Sequence, residues 1–523
     1  MIALLVFTYI IRSNFFLIPF ERDEGIYAYF GKLILEGKIP YKDFYEFKYP
    51  GLFYAYALMI KIFGYKLYNL HLGFTILNLL NIVIVFFISR KFFRPVISLC
   101  SAIIFCILSL NPNISGFTIQ SEHLVIFFIS IGLIFVPSIK NINQNKYFLL
   151  VGLFFSIAVM IKTTAVIISS IIFFYLALVL LKENKFNLKT IFNSLLHYVL
   201  GFLIPIISFF ILIYHYGSIN EMFFFTYKIS TKYITTIGLN EAYQNFKYSL
   251  ERTLENHHII WYISLGGFIM AFNTKYNKYY NILQIVLFLF SFIMIFPGFY
   301  FYGHYYLLII PAVSIMGGNF IDKIVKFLNN KKRKFTLATV IVIFFIFIIL
   351  HFNKLKAYYF KPDYYKVLRS TYGINPFPEA MEIGNWLNKN LKKNENFALI
   401  GSEPELYLYT DRLSLSRHAY FTAVVIDVPE HKNWQREFTT AIEKNNPKFF
   451  VYFNNPLSLL VQPNTDKHVF IWAKKYISSN YNLVGLVDMV SPNKTNYVWK
   501  ENLQSYVARS SNLIYIYERK KSN

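Results

Sequence analysis

The chain has 523 residues, of which 55% are hydrophobic, 20% aromatic and only 15% charged, with a formal net charge of +24. Soluble domains carry roughly 25% charged residues, so the composition excludes an ordinary water-soluble globule and points to a polytopic membrane protein built from apolar stretches of about 20 residues. The basic excess comes without an Arg-rich stripe, zinc spacing or RNP-like motif, which sets nucleic acid aside and leaves membrane lipids as the partner.

In chain order, the first apolar segment (1–19) lacks a basic start and a small-residue cleavage site and reads as a retained first span rather than a signal peptide. Residues 20–66 follow as the one place where charge is concentrated: Glu21, Arg22, Asp23 and Glu24, then Glu46 and Lys48 just before Pro50 and Gly51. Ile26, Phe30, Leu33 and Ile34 recur at helical spacing and Gly37 suits a C-cap. This helix is too short and polar to span, so it is expected to lie on the membrane surface, with Asp23 at its N-cap and Glu24 in its first turn. Pro50 and Gly51 open a second such helix that Gly64 closes.

Apolar windows then recur near 67–89, 96–111, 119–138, 147–161, 163–181, 191–216, 257–273, 280–297, 304–321 and 335–351, giving about eleven spans with the first. Cys100 and Cys106 share one window and read as small apolar residues, not as a disulfide or metal site. One alternating set of connections holds the lysines and arginines: Arg90, Lys91 and Arg94; Lys140 and Lys146; Lys182, Lys185 and Lys189; Lys275 and Lys278; and Lys323 to Lys334. The positive-inside rule makes that set cytoplasmic, so 20–66, 112–118, the Lys162 junction, 217–256, 298–303 and the tail from 352 are expected outside. Within the tail, strand-like runs at 397–402, 449–453 and 513–518 alternate with amphipathic patterns near 378–393 and 431–445. These predict a small α/β domain over 352–523 with its own core, beside a membrane domain over 1–351.

The order of a DE pair after the first span, a surface helix, the PYKDF segment, an E-x-K-x-P-G segment and a helix ending in FG resembles the GT-C class of polyprenyl-phosphate-sugar-dependent glycosyltransferases. Protein mannosyltransferases, the lipid A aminoarabinose transferase and galacturonosyltransferases of lipopolysaccharide cores belong to it. The stretches GLFFSIAVMIKTTAV (152–166) and FYFYGHYYLLIIPAVSIMGG (299–318) agree, and the likeness covers roughly 1–351, with a weaker trace in SEPELYLYTDRLSLSR of the tail. FKYPG stands where many relatives have a K-P-P run.

The resemblance implies an α-helical polytopic fold of GT-C type with a C-terminal extracytoplasmic α/β domain. It also implies a donor phosphate to hold and an acceptor hydroxyl to deprotonate. Asp23, ahead of Glu24 and Glu21, is then the general base, or a ligand that orients the acceptor or a metal. Lys48 pairs with the donor phosphate or anchors at the interface. Arg22 does the same or bridges to Glu46. Glu122 and His123, at the outer start of the fourth span, offer a second acid for the acceptor or a metal, or a solvated helix end. His304 and Lys162 hold phosphate, or are respectively a belt residue and a snorkelling lysine. Arg12 within the first span raises the same question, with pairing to Glu21 or Glu122 as its alternative. Tyr and Phe at 223–233 and 299–306 line a polyprenyl groove or form interfacial belts. Asp411, Arg412, Ser416 and Arg417 touch the acceptor or make a structural hairpin.

The expected activity is inverting transfer of a monosaccharide from a polyprenyl-phosphate donor to a lipid, polysaccharide or protein acceptor, on the outer face of a bacterial cytoplasmic membrane. A divalent metal ion is left open as cofactor, with Asp23 and Glu122 as its ligands. Two rivals stand beside it. A ligase or polymerase of lipid-diphosphate oligosaccharides would lean on Arg252, His257 and His258 of the large outer loop. A non-enzymatic lipid or sugar transporter would show internal repeats and interrupted paired spans, which the sequence lacks.

Overall fold

The computed structural model describes residues 1–137, 142, 144–183, 187–272, 278–327 and 333–521, with 333–336 as backbone only. Lys140, Lys185, Lys275, Lys331 and Lys332, and the side chains of Arg333 and Lys334, lie outside the described residues. A helix occupies every apolar window. These are α1 (Ile2–Ser13), α4 (Leu67–Ser89), α5 (Pro95–Leu108), α6 (Ser121–Phe135), α7 (Asn145–Ile161), α8 (Val166–Glu183), α9 (Leu188–His215), α13 (His258–Ala271), α14 (Lys278–Ile293), α15 (Ile310–Phe327) and α16 (Arg333–Lys354). Between α1 and α4 lie the two short helices of the charged segment, α2 (Arg22–Leu35) and α3 (Pro50–Phe63). Residues 217–256 fold into α10 (Ile219–Phe223), a π-helical turn over Phe224–Ile229, α11 (Ser230–Ile234) and α12 (Leu239–Leu254). Among the described residues, 5 helical stretches are long and apolar enough to cross a membrane by length and composition, and the other windows hold shorter apolar helices.

The connections expected on one side do meet one another. Arg252 of α12 donates to Asn113 Oδ1 (2.7 Å) and to the Ser370 carbonyl (2.8 Å). The Tyr300 hydroxyl donates to the Tyr233 carbonyl (3.2 Å), and Tyr372 bonds Ser115 across 3.0 Å. An alternation of spans requires this gathering at one end of the bundle.

The tail carries α17 (Lys356–Phe360), α18 (Tyr364–Tyr372), α19 (Phe377–Asn390), α20 (Glu405–Thr410), α21 (Thr422–Val425), α22 (His431–Asn445), α23 (Pro456–Leu459) and α24 (His468–Asn480) around a 5-stranded sheet. The strands are β1 (Phe397–Ile400), β2 (Phe449–Asn454), β3 (Tyr481–Ser491), β4 (Lys494–Trp499) and β5 (Leu513–Arg519), in the order β1-β2-β5-β3-β4. Only β1 and β2 pair in parallel. The sequence patterns at β1, β2, β5, α19 and α22 are matched by these elements. The hairpin β3–β4 escapes the sequence reading, although Ser491-Pro492-Asn493 at its turn is a hairpin signal.

Period-two alternation divides the sheet between two cores. Ala398, Ile400 and Phe450 face a layer under α22 and α24, whereas Phe397, Leu399, Phe449, Val451 and Phe453 join the core of the bundle. That core runs unbroken from α1 through α2 and α3 into α19, α20 and the sheet. The first surface helix accordingly differs from expectation. Most of α2 is buried, because it lies between α3 and the C-terminal domain rather than along an open leaflet.

Candidate active site

Helix α2 starts two residues earlier than the sequence expectation. Glu21, not Asp23, is the N-cap: its backbone is extended (φ −87°, ψ 174°) and its carboxylate accepts from Glu24 N (2.9 Å). Glu24 returns the bond to Glu21 N (2.8 Å), which closes a capping box. Both acids are buried and further tied down. Gln120 Nε2 donates to Glu21 (3.0 Å), while Glu24 accepts from Ile119 N and stands 3.5 Å from His71 Nε2. The sequence assigned Glu24 a share of the chemistry; the structure gives it this scaffolding position. With the capping done by its neighbours, Asp23 is left half-buried, and among the described residues its carboxylate takes part in no hydrogen bond or ion pair.

Helix α3 starts on Pro50, which needs no N–H partner at that position. Next to it, Gly51 presses on the last turn of α7: a Cβ there would stand 2.5 Å from the Met160 carbonyl oxygen. Only glycine allows this approach, and it brings the loop before α3 beside the break that follows α7. At that break Lys162 is extended (φ −146°, ψ 118°) and a 3-10 turn over Thr163–Ala165 leads into α8. The chain thus interrupts two apolar helices to present one ammonium group.

Lys162 forms an ion pair with Glu122, in the first turn of α6, and its Nζ lies 4.0 Å from the centre of the Tyr305 ring. His304 Nε2 is 3.9 Å from the same Glu122 carboxylate. The acid is buried to 1% exposure while Lys162 and His304 keep 20% and 16%, so two basic groups face outward over an enclosed carboxylate. Lys48 donates to the Tyr27 hydroxyl, with its Nζ 4.8 Å from that ring's centre. The charges of Asp23 and Lys48 both act on Lys162 and on His304. Five sequence-selected residues therefore share one site: Asp23, Lys48, Glu122, Lys162 and His304. Next to Lys48, Glu46 is buried, and this pushes its carboxyl up to about 7 against the pull of the ammonium.

Other selected residues go elsewhere. His123 is buried and makes no ion pair with the group among the described residues; the charges of Arg12 and Glu122 both act on its ring. Arg12 pairs with neither Glu21 nor Glu122; it donates to Asn78 Oδ1 (3.1 Å) and to the carbonyls of Ser109 (2.8 Å) and Gly116 (2.9 Å). Arg22 does not bridge to Glu46 but reaches into the C-terminal domain, to the carbonyls of Ser402 and Leu457 (both 2.7 Å) and to Glu403 (3.4 Å). Asp411 pairs with Lys32 of α2, Arg412 donates to the carbonyls of Glu395 and Lys392, and Arg417 grips Glu437. Ser416 Oγ accepts from His418 N (3.2 Å). Phe225 stacks on Trp434 (5.5 Å) and Tyr45 (4.5 Å), so part of the aromatic belt fastens the 217–256 loop onto the tail. Of the two carboxylates named for a metal ion, Glu122 is in an ion pair with Lys162, and among the described residues no three His, Cys, Asp or Glu side chains converge.

Sequence reasoning took Tyr302 and Tyr305 only as part of the 299–306 groove or belt and passed over Tyr27 and Tyr420. Tyr27, Tyr302, Tyr305 and Tyr420 all feel the Asp23 charge, and Tyr302 is 45% exposed. Tyr302 and Tyr305 flank His304 in a run that reads as a membrane belt, and nothing local marks Tyr420, which arrives from the tail.

Residues 48–211 match the family model described as dolichyl-phosphate-mannose-protein mannosyltransferase. No curated protein sequence matches the chain. Among solved structures, ArnT from Cupriavidus metallidurans in the apo state superposes with a TM-score of 0.58 at 13% identity, covering 99% of this chain and 97% of that one. The same protein bound to undecaprenyl phosphate gives 0.57 at 12% identity with the same coverage. The apo oligosaccharyltransferase of Archaeoglobus fulgidus gives 0.49 at 13% identity, over 96% of this chain and 74% of that one. The family match begins at Lys48 and runs through Glu122 and Lys162 into α9, and the chain is similar in fold to ArnT almost end to end.

Proposed function

We propose that the protein transfers a monosaccharide from a polyprenyl-phosphate donor to a lipid, polysaccharide or protein acceptor, with inversion, on the outer face of a bacterial cytoplasmic membrane. The observation that carries this reading is the Asp23 carboxylate, unpaired among the described residues, whose charge acts together with that of Lys48 on Lys162 and His304. Support for a lipid phosphate comes from the undecaprenyl phosphate bound to ArnT and from the family description of the matched segment.

In this reading Asp23 accepts the proton of the acceptor hydroxyl as its oxygen attacks the anomeric carbon. Attack comes from the face opposite the phosphate, the bond from the anomeric carbon to the phosphate oxygen breaks, and the lipid phosphate leaves with the electron pair. Lys48 and Lys162 then stabilise charge that grows as the bond breaks, which lowers the barrier more than it aids ground-state binding. Lys162 is held by Glu122 until an anion competes for it, and His304 stands ready to donate to the same oxygens. Arg252 and His257, on which a ligase or polymerase would lean, are tied into the scaffold: Arg252 binds Asn113 and Ser370, and the His257 ring packs 4.8 Å from that of His351.

The test is a transfer assay on purified protein with a panel of polyprenyl-phosphate sugars. Asp23→Asn is expected to lower kcat by about 10²–10⁴-fold, the usual worth of a general base, while donor binding persists. Full turnover by that variant removes Asp23 from the reaction.

A further inference from the structure

The C-terminal domain meets α2 through a buried patch of carboxyl groups. Glu405, the first residue of α20, is fully buried, and neither of its carboxyl oxygens has a hydrogen-bond partner among the described residues. Gly25 of α2 lies flush against it: a Cβ at Gly25 would stand 2.8 Å from Glu405 Cβ and 2.9 Å from its backbone nitrogen. The charged and titratable groups that act on Glu405 are Glu21, which caps α2, Arg22 in its first turn, Glu403 in the turn before α20, and Tyr409 on α20 itself. Three carboxyl groups thus confront one guanidinium. Arg22 uses its donors on Ser402, Leu457, Asn375 and Glu403, not on Glu405. A buried carboxylate without a partner is among the costliest groups a protein can enclose, whereas its neutral form is tolerated.

We infer that Glu405 is a positioning residue: its neutral carboxyl lets the C-terminal domain close on Gly25 and hold α2, and ionisation of that carboxyl drives the two apart. That α2 carries the reacting carboxylate rests on the proposed function; the clamp does not. Burial pushes Glu405 well above the usual carboxylate range, and Glu403 up to about 7. The sign follows from linkage. The docked state keeps a proton that the water-exposed carboxyl has already lost, so docking weakens as pH rises from the ordinary carboxylate value toward the raised one. For one proton the change is about tenfold per pH unit.

Hydrogen exchange of the α2 amides in the full-length protein, in lipid nanodiscs between about pH 5.5 and about pH 8.5, tests this. In the wild type, protection factors are expected to fall with rising pH. In Glu405→Gln and in Glu405→Leu, both uncharged and of similar size, the fall is expected to be shallower by about one factor of ten per pH unit. Equal slopes in the wild type and in both variants overturn the proposal. So does a wild-type α2 whose protection is independent of pH, a result that needs no variant to fold. Transfer measured on the same samples separates the clamp from the assignment of Asp23. If α2 is released at high pH while turnover persists, the clamp stands and Asp23 loses its role.

Discussion

At the residue scale, the division among Glu21, Asp23 and Glu24 shows how three adjacent acids acquire different work. The capping box uses the first and third, because a helix start leaves free N–H groups that carboxylates satisfy. The middle acid takes part in neither bond of the box; among the described residues it is unpaired, and its charge acts on Lys162 and His304. Glu46 adds a pH dependence at this scale. Its carboxyl, pushed up to about 7 by burial, is neutral below that value and becomes a carboxylate beside Lys48 above it. An anion there opposes a donor phosphate, so KM for the donor is expected to rise as pH passes through about 7. Glu46→Gln should flatten that rise while leaving the low-pH KM in place; a KM profile unchanged by the substitution would remove Glu46 from donor binding.

At the scale of elements, the site is an assembly of helix ends. Asp23 comes from the start of α2, Lys48 from the turn before α3, Glu122 from the start of α6, and Lys162 from the break between α7 and α8. Helix ends are where backbone groups stay unpaired and where a chain can turn a polar side chain out of an apolar bundle. The contact that aligns two of these ends is Gly51 against Met160. Gly51→Val should overpack it, with a loss of about 1–3 kcal/mol in stability. It should also lower turnover more than a surface substitution such as Lys42→Ala does, since it separates Lys48 from Lys162. Thermal unfolding in detergent together with a transfer assay reads both, and a Gly51→Val protein with wild-type melting and turnover would show that the approach has no consequence.

At the scale of the whole molecule, composition divides the chain near residue 352, yet its apolar core does not. One face of the sheet packs into the same core as α2 and α3, while the other is covered by α22 and α24. A fragment of 352–523 expressed alone would therefore expose the face that α2 covers, a large apolar patch of the kind that drives association. It is expected to aggregate or bind a hydrophobic dye, and to become soluble and dye-silent only when co-expressed with 1–351. A monomeric, dye-silent fragment would mean that this face closes without the membrane domain.

The helices and the charged segment were legible locally. Apolar windows, Pro50 at a helix start and the amphipathic runs of the tail depend on neighbours in sequence, and each has its element in the structure. The hairpin β3–β4 was missed because its residues are covered unevenly on their two sides, which blurs alternation. Asp23, Lys48, Glu122, Lys162 and His304 could be singled out one by one, since charge in an apolar chain is costly and conspicuous. Their partners could not be. That Glu122 would hold Lys162, that Arg22 would reach Ser402 and Leu457 some 380 residues and more away in sequence, and that Tyr420 would join the site all depend on which helix ends the packed core brings together. Spacing along a chain reports what a segment must hide or expose. Only the closed core decides which of the exposed groups face one another.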